Sequence, residues 1–335
     1  MNFRWGILAA SALMAVAAGT SAQDYPWKPS RPVTVIVPWA AGGSTDQMAR
    51  IVANELEAEL KQKFVVVNQP GASGSIGTKS ALDAAKDGYT WAAGAAQDLG
   101  AYQTLGSVNT NIKDWHLFLS VANIQVIGVN PSRPWKNAKE LIDDMKARPG
   151  QISVATAGVT SAGHNAMDFI VKATGVKYKE VSYDGGNPAV VATVSGEADV
   201  TTQLAVEQAD MIRGKRLRPL ATVSDKAIEL EGYGVIPPLS QTLPGFSAPA
   251  NYFGIFIPNG VPDEVVKTVE KIWTDTVAKS DALKKYATSR GALFNPLTGD
   301  AAQKAVFPAV QANAWNLFSN GKAKVSPDTV GIPKP

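Results

Sequence analysis

The sequence predicts an α/β protein built from two Rossmann-like lobes, and three observations carry that prediction. Strand-like and helix-like stretches alternate, with loops of small residues after successive strands. The alternation is interrupted once and then resumes with the same pattern in a second half. Charged residues make up only 18% of the chain while Ala, Val and Gly abound, a composition that suits parallel sheets covered on both faces by helices.

The first 22 residues carry one charge, Arg4, and an apolar run that ends in Thr20-Ser21-Ala22, a small-residue cleavage pattern. This predicts an export signal cleaved after Ala22. No later stretch approaches the ~20 uninterrupted apolar residues of a membrane span. There is no cysteine, which excludes disulfides, thiol catalysis and lipid attachment at an N-terminal Cys. Loss of Arg4 from 32 basic and 29 acidic residues leaves a chain close to neutral. With no clustered basic stripe, no nucleic-acid partner is expected.

In the first lobe, the β-branched run Val33 to Val37 reads as a buried strand and Pro38 to Gly43 as a tight loop. Ser44 then reads as an N-cap, with Gln47 completing a capping box and Met48, Ile51, Val52, Leu56 and Leu60 forming an apolar stripe. A strand, a glycine loop and a helix start together make an anion site, because first-turn N–H groups lack intrahelical partners. Gly42 and Gly43 are equally consistent with a sharp turn that needs backbone freedom and nothing more. Lys63 to Asn68 is a second strand, followed by the loop Gln69 to Ser75 and a helix from Ile76 to Ala85. Tyr89 to Ala93 is a third strand, and Gly94 to Gln97 its loop. GASGSIG (Gly71 to Gly77) has GxxGxxG spacing and no acidic residue placed to hold a ribose, so no dinucleotide or other cofactor is expected.

The apolar segment Val121 to Val129 is read as a crossing between lobes. The second lobe then has a helix at Lys139 to Lys146, a strand at Ile152 to Ala157, a loop at Gly158 to Ser161 and a helix at Ala162 to Thr174 closed by Gly175. Glu180 to Tyr183 is a strand with the loop Asp184-Gly185-Gly186, after which Asn187 caps a helix with Pro188 at its first position. Val200 to Val206 and Leu217 to Val223 read as strands. From Ile255 an apolar strand and helices at Asp263 to Ala278, Asp281 to Ser289 and Ala301 to Phe318 return to cover the first lobe. The expected division is 1–22 signal, 23–122 first lobe, 123–248 second lobe, and 249–335 the return to the first.

With these elements placed, the chain resembles the extracytoplasmic solute receptors of the tripartite tricarboxylate transporter family, also called Bug receptors. The likeness rests on PWAAGGSTDQMAR, VVVNQPGASGSIG with DGYT, SYDGGNPAVVATVSGEAD, IPPLSQTLPGF and IPNGVPDEVV, in family order along nearly the whole mature chain. It implies a Venus-flytrap receptor in the periplasm, a small carboxylate as ligand, membrane transporter subunits as partners, and a monomer. By position it implies ligand contacts from Trp39, Ala40, Ala41, Gly42, Gly43, Ser44 and Asp46, and from Gly71, Ala72 and Ser73. In the second lobe it implies Gly158, Thr160, Ser161 and His164, with Asp184 and Gly185. Departures from the family pattern at Gln69, Asp184, Trp39 and Ser107 to Thr110 make the cleft less positive, which points away from a tricarboxylate.

Several candidates also have readings of their own. Asp46 can complement the helix dipole and pair with Arg50 at i,i+4, which outweighs direct contact with a ligand ammonium. His164 can donate to a ligand, cap or pack. Trp39 lies in the loop and offers a wall to an apolar ligand body. Gln97 and Gln203 sit at strand ends as polar contacts. An enzyme is poorly supported: the only histidines are His116 and His164, and neither HExxH nor GxSxG occurs. A ligand-sensing receptor for a membrane signalling partner uses the same closure and stays open as an alternative, with an exported α/β hydrolase behind it.

Overall fold

The computed structural model describes residues 24–335, so the expected signal and its cleavage after Ala22 lie outside the described residues. The first run is β1 (Val33–Val37), α1 (Ser44–Leu60), β2 (Phe64–Asn68), α2 (Ser75–Asp83), β3 (Thr90–Ala95), α3 (Ala96–Leu105) and β4 (Trp115–Asn123). The second is β5 (Val126–Val129), α4 (Ala138–Ala147), β6 (Ser153–Thr156), α5 (Ala162–Thr174), β7 (Lys179–Ser182), α6 (Gly186–Ser195), β8 (Val200–Thr201), α7 (Ala205–Arg213) and β9 (Arg218–Thr222). A hairpin of β10 (Ile228–Leu230) and β11 (Gly234–Ile236) precedes β12 (Asn251–Pro258), α8 (Asp263–Asp275), α9 (Asp281–Arg290), β13 (Leu293–Thr298) and α10 (Gly299–Ser319).

These elements form two lobes, each around its own sheet. One sheet has the order β13-β4-β12-β3-β1-β2 and the other β7-β6-β8-β5-β9. In the first, β1 runs parallel to β2 and β3, so the loops into α1, α2 and α3 all leave from one edge. In the second, β6 is parallel to β7 and β8, which puts the loops into α5, α6 and α7 on one edge too. The carboxyl edges of parallel strands are where such sheets bind ligands. The chain passes from β4 to β5 through Ile124 and Gln125, and Gln125 bridges to Leu204 beside the cavity described below.

Packing fixes these edges in place. Val33, Val35 and Val37 of β1 meet Met48, Val52 and Leu56 of α1 and Val265, Val269 and Ile272 of α8 in one core. On the opposite face Leu99 and Tyr102 of α3 pack with Val306 and Val310 of α10. The approach of α3 to α10 requires Gly100, where a Cβ would lie 2.4 Å from Val310 Cγ1. The second lobe closes around Leu141, Ile142 and Met145 of α4, Met167 and Ile170 of α5, and the strand residues Val154 and Val200.

Three sequence expectations are corrected. No loop forms at Gly94 to Gln97: β3 runs on through Gly94 and Ala95 and α3 begins at once at Ala96, so Gln97 is in a first helical turn and not at a strand end. That helix is buried nearly all round and shows no amphipathic stripe to read. The strand predicted at Val200 to Val206 stops at Thr201, and α7 takes over from Ala205. Helix α6 begins at Gly186 with Gly185 as N-cap, which moves Pro188 to the third position, where its missing N–H is still one of the orphans.

Gly254 is the tightest backbone contact in the first sheet. A Cβ there would fall 2.1 Å from the Phe118 carbonyl oxygen, at the point where the β12/β4 register shifts. Gly254→Ala is expected to lower stability by ~1–3 kcal/mol, because neighbouring backbone must move to make room. Denaturant unfolding measures this directly, and a variant as stable as the parent would contradict the packing described.

Candidate functional site

The two strand edges face each other across one interlobe cavity of about 30 Å³. The first lobe lines it with Trp39, with Gly43, Ser44 and Thr45 at the start of α1, and with Ala95, Asp98 and Phe253. The second lobe contributes Ala157, Ser161 and Ala162 at the start of α5, Gly186 at the start of α6, and Gln203, Leu204 and Glu207 around the start of α7. Helix N-termini from both lobes therefore converge on one space, each carrying outward-facing N–H groups and the positive end of its dipole. A volume of this size holds water-sized occupants and no carbon skeleton, so an organic ligand is admitted only when the lobes part. A groove of about 510 Å³ behind the lobe crossing, lined by Ile124, Ile228, Ala292 and Leu293, faces the C-terminal end of α9 at Gly291. That end of a helix disfavours anions.

The start of α1 differs from its sequence reading. The N-cap is Gly43 (φ −75°, ψ 175°), no side chain caps locally, and Gln47 Nε2 donates to the Gly42 carbonyl at 2.7 Å. The Ser44 N–H instead donates across the cleft to Glu207 Oε1 at 3.0 Å. Glu207 also accepts from its own Leu204 N–H at 3.2 Å. The hydrogen-bond network orients the Gln203 amide so that its nitrogen donates to Glu207 Oε2 (3.2 Å) and its oxygen accepts from Ala157 N–H (2.8 Å). The carboxylate lies against Gly186, where a Cβ would be 2.2 Å from either oxygen. Burial pushes the Glu207 carboxyl above its ordinary pKa, against the opposing pull of the Ser44 and Leu204 N–H groups.

Asp98 is the second acid of the cavity and is 4% exposed. Its Oδ1 has no hydrogen-bond partner, and burial drives its pKa well above the ordinary carboxylate range. Sequence reasoning missed both acids because Asp98 fell just beyond a presumed loop, where no helix was read, and Glu207 just beyond a presumed strand. The helical spacing of Ala205, Ala209 and Ile212, with an acid in the first turn, was the signal that places Glu207 at a helix start.

Of the predicted contacts, Trp39, Gly43, Ser44, Ser161 and Gln203 line the cavity. Others build the seam that shuts it. Ala40 N–H donates to the Asp184 carbonyl at 2.9 Å, with Gly185 packed against Ala40, while Ala41, Gly42 and the Asp184 side chain face solvent. Thr160 Oγ1 donates to the Ser73 carbonyl at 2.6 Å, and Val159 N–H to Ser73 Oγ at 3.2 Å, with Gly158 against the same serine. Gly71, Ala72, Ser73 and Gly74 all have positive φ (124°, 47°, 52° and 86°). For Ala72 and Ser73 that conformation is strained, and it turns Ser73 toward the second lobe. Ala72 itself is exposed.

Three predicted contacts are placed elsewhere. Asp46 accepts from Gly42 N–H (3.0 Å), from Arg50 Nε (3.1 Å) and NH2 (2.8 Å), and from Asn68 Nδ2 (3.0 Å). Burial acts to raise its pKa, but Arg50, Gly42 and Asn68 together hold it below the usual value. Gln97 is fully buried and donates to Asn251 Oδ1 at 2.7 Å. His164 is buried outside the cavity lining, with Nδ1 2.5 Å from Glu180 Oε1 and Nε2 2.6 Å from Lys322 Nζ, which also bonds Asp168 at 3.1 Å. This group ties α5 to the segment after α10. Ser161, by contrast, caps α5 by accepting from His164 N–H at 3.2 Å, as well as facing the cavity. Among the described residues no cluster of three or more His, Cys, Asp or Glu could hold a metal ion.

The family described as the tripartite tricarboxylate transporter family receptor matches residues 48–319. Protein BugT of Bordetella pertussis is 30% identical over 318 residues, covering 92% of this chain and 93% of that protein. The chain belongs to this receptor family. A second relative, from the tcbD-tcbE intergenic region of Pseudomonas sp. strain P51, is 28% identical over 285 residues and covers 83% of each chain. Among solved structures, the receptor is similar to the periplasmic binding protein BugD (TM-score 0.80, 26% identity, 88% of this chain and 99% of that one). It is also similar to an R. palustris protein determined with adipate (TM-score 0.75, 25% identity, 88% of this chain and 97% of that one). It is thus a periplasmic-type solute-binding receptor with the two-lobe fold.

The buried Asp98 gives this receptor a testable pH dependence. With its folded pKa raised, Asp98 keeps a proton that the unfolded chain releases above about pH 4, so its contribution to stability falls as pH rises through that window. Asp98→Asn removes the titration. The variant is expected to melt above the parent near neutral pH, with the gap closing toward about pH 3. A gap that is constant across pH, or a variant less stable at neutral pH, would contradict the assignment.

Proposed function

We propose that this receptor captures a small mono- or dicarboxylate between its lobes in the periplasm and delivers it, as a monomer, to the membrane subunits of a tripartite tricarboxylate-type transporter. The observation that carries this reading is the convergence of helix starts from both sheets on one cavity. Such N–H groups bind a carboxylate through the main chain, with little demand for a cationic side chain. The relative determined with adipate supports an organic carboxylate as the ligand class. In this reading residues 23–122 and 249–335 move as one lobe and 123–248 as the other, hinging at the crossings, and Trp39 and Phe253 form the apolar walls around the ligand body. In this reading ligand chemistry stops at binding, in keeping with a family of receptors.

A thermal-shift screen of carboxylates tests the class, since a ligand at about 100 times its Kd stabilises a folded protein by ~2.7 kcal/mol. The expected hit is a small carboxylate that is recovered unchanged after prolonged incubation and that lowers the radius of gyration in solution scattering as the lobes close around it. A chemically altered compound, or a melting point unmoved by every carboxylate, would sink the reading.

The main-chain mechanism also ranks two variants. A Cβ at Gly43 would lie 3.4 Å from Glu207 Oε1, on the ligand side of the α1 start, so Gly43→Val obstructs the amides themselves. Asp46 is spent on Gly42, Arg50 and Asn68, and its isostere Asn keeps an acceptor for Gly42. Calorimetric titration is expected to show a large loss of affinity for Gly43→Val, and for Asp46→Asn mainly a stability loss of ~1 kcal/mol or less. Normal binding by Gly43→Val alongside abolished binding by Asp46→Asn would reverse the roles.

A further inference from the structure

We infer that the cleft selects a carboxylate that also carries a protonated nitrogen, with Asp98 as acceptor for that nitrogen and the Glu207 carboxylate supplying a second negative charge beside it. The inference rests on the receptor function proposed above and specifies its ligand. Among the described residues lining the cavity, Asp98 and Glu207 are the only ionisable side chains, and no Lys, Arg or His reaches it. Asp98 keeps its proton until a cation faces it, and a second ligand carboxylate would meet the Glu207 charge with no cation in the lining to offset the repulsion. A protonated ligand nitrogen removes that conflict and, as the cation facing Asp98, lets it release its proton to solvent and accept from the nitrogen as a carboxylate. It also satisfies Asp98 Oδ1, which is buried on the cavity wall with no hydrogen-bond partner. An unmet acceptor in such a position is costly unless a ligand group completes it.

Glu207 has a different part. Its oxygens already accept from Ser44, Leu204 and Gln203, so it contributes charge more than a free lone pair. Those donors hold the charge in place at the α1 start, where the dipole favours it. The remaining first-turn amides of α1 and α5 then face the ligand carboxylate.

The test uses titration calorimetry on the mature protein with three probe series of matched length, from four to six carbons: linear dicarboxylates, ω-amino carboxylates and diamines. The expected result is that the best amino carboxylate binds about tenfold or more tighter than its dicarboxylate counterpart. Asp98→Asn is expected to abolish that preference and Glu207→Gln to reduce it, with circular dichroism confirming that each variant is folded. Equal or tighter binding of the dicarboxylate overturns the inference and leaves the carboxylate-receptor reading standing; a dicarboxylate affinity lost in Asp98→Asn would further identify a protonated Asp98 donating to a second carboxylate. Tightest binding by a diamine overturns the carboxylate reading itself. Binding by none of the three series overturns both.

Discussion

The unpaired N–H groups at the start of α1 set the terms for the cleft. A helix start on a buried strand edge must find acceptors, and in this chain the nearest side chains do not supply them. The Ser44 N–H is met by Glu207, a residue 163 positions away on the other lobe. A local requirement of one helix is thus met only when both lobes are together. The same carboxylate accepts from Leu204 and lies against Gly186, so the starts of α1 and α7 share a single acceptor group and the start of α6 packs on it. Helix capping and lobe closure are one interaction here, and any ligand that enters has to be compatible with it.

Around that point the structure is arranged to make closure reproducible. Ser73, held at positive φ, meets Val159 and Thr160, and the Ala40 amide meets Asp184. Tyr102 of α3 reaches both Thr78 and Thr160, joining the first-lobe core to the second-lobe loop. Away from the cavity, Lys322 links to His164 and Asp168, and Arg290 to Asp210 and the Val206 carbonyl. These contacts are polar, which suits lobes that separate and rejoin. The first-lobe apolar core also reaches across the cleft to Ala157, Ala162, Leu204 and Val206 of the second lobe, so opening uncovers an apolar strip beside the polar contacts.

Much of this was legible in the sequence because it is local. The strand–loop–helix alternation, the apolar stripe of α1, and α5 from Ala162 to Thr174 with its Gly175 stop all rest on nearest-neighbour chemistry. The failures have a common cause. Ser44 reads as a cap, but its role passes to Gly43 and a distant glutamate. Helix α3 has Gly100 at its centre and burial on nearly every side, so tertiary packing overrides any helical pattern. The Gln203-Leu204 break between β8 and α7 is invisible in an apolar run. Asp98 and Glu207 sit in those two misread places, and the charge of the cavity was misjudged with them. Asp46, given to the helix dipole and Arg50 from spacing alone, does make those contacts.

The central claim is that main-chain N–H groups at opposing helix starts hold a carboxylate between the lobes. A crystal structure of the mature receptor with a carboxylate that raises its melting point tests this most directly. The account predicts carboxylate oxygens within hydrogen-bonding distance of first-turn N–H groups of α1 and of α5 or α6, inside the cavity bounded by Trp39 and Phe253. A ligand bound in the groove behind the crossing, or one whose carboxylate is held only by side chains away from those helix starts, would contradict it.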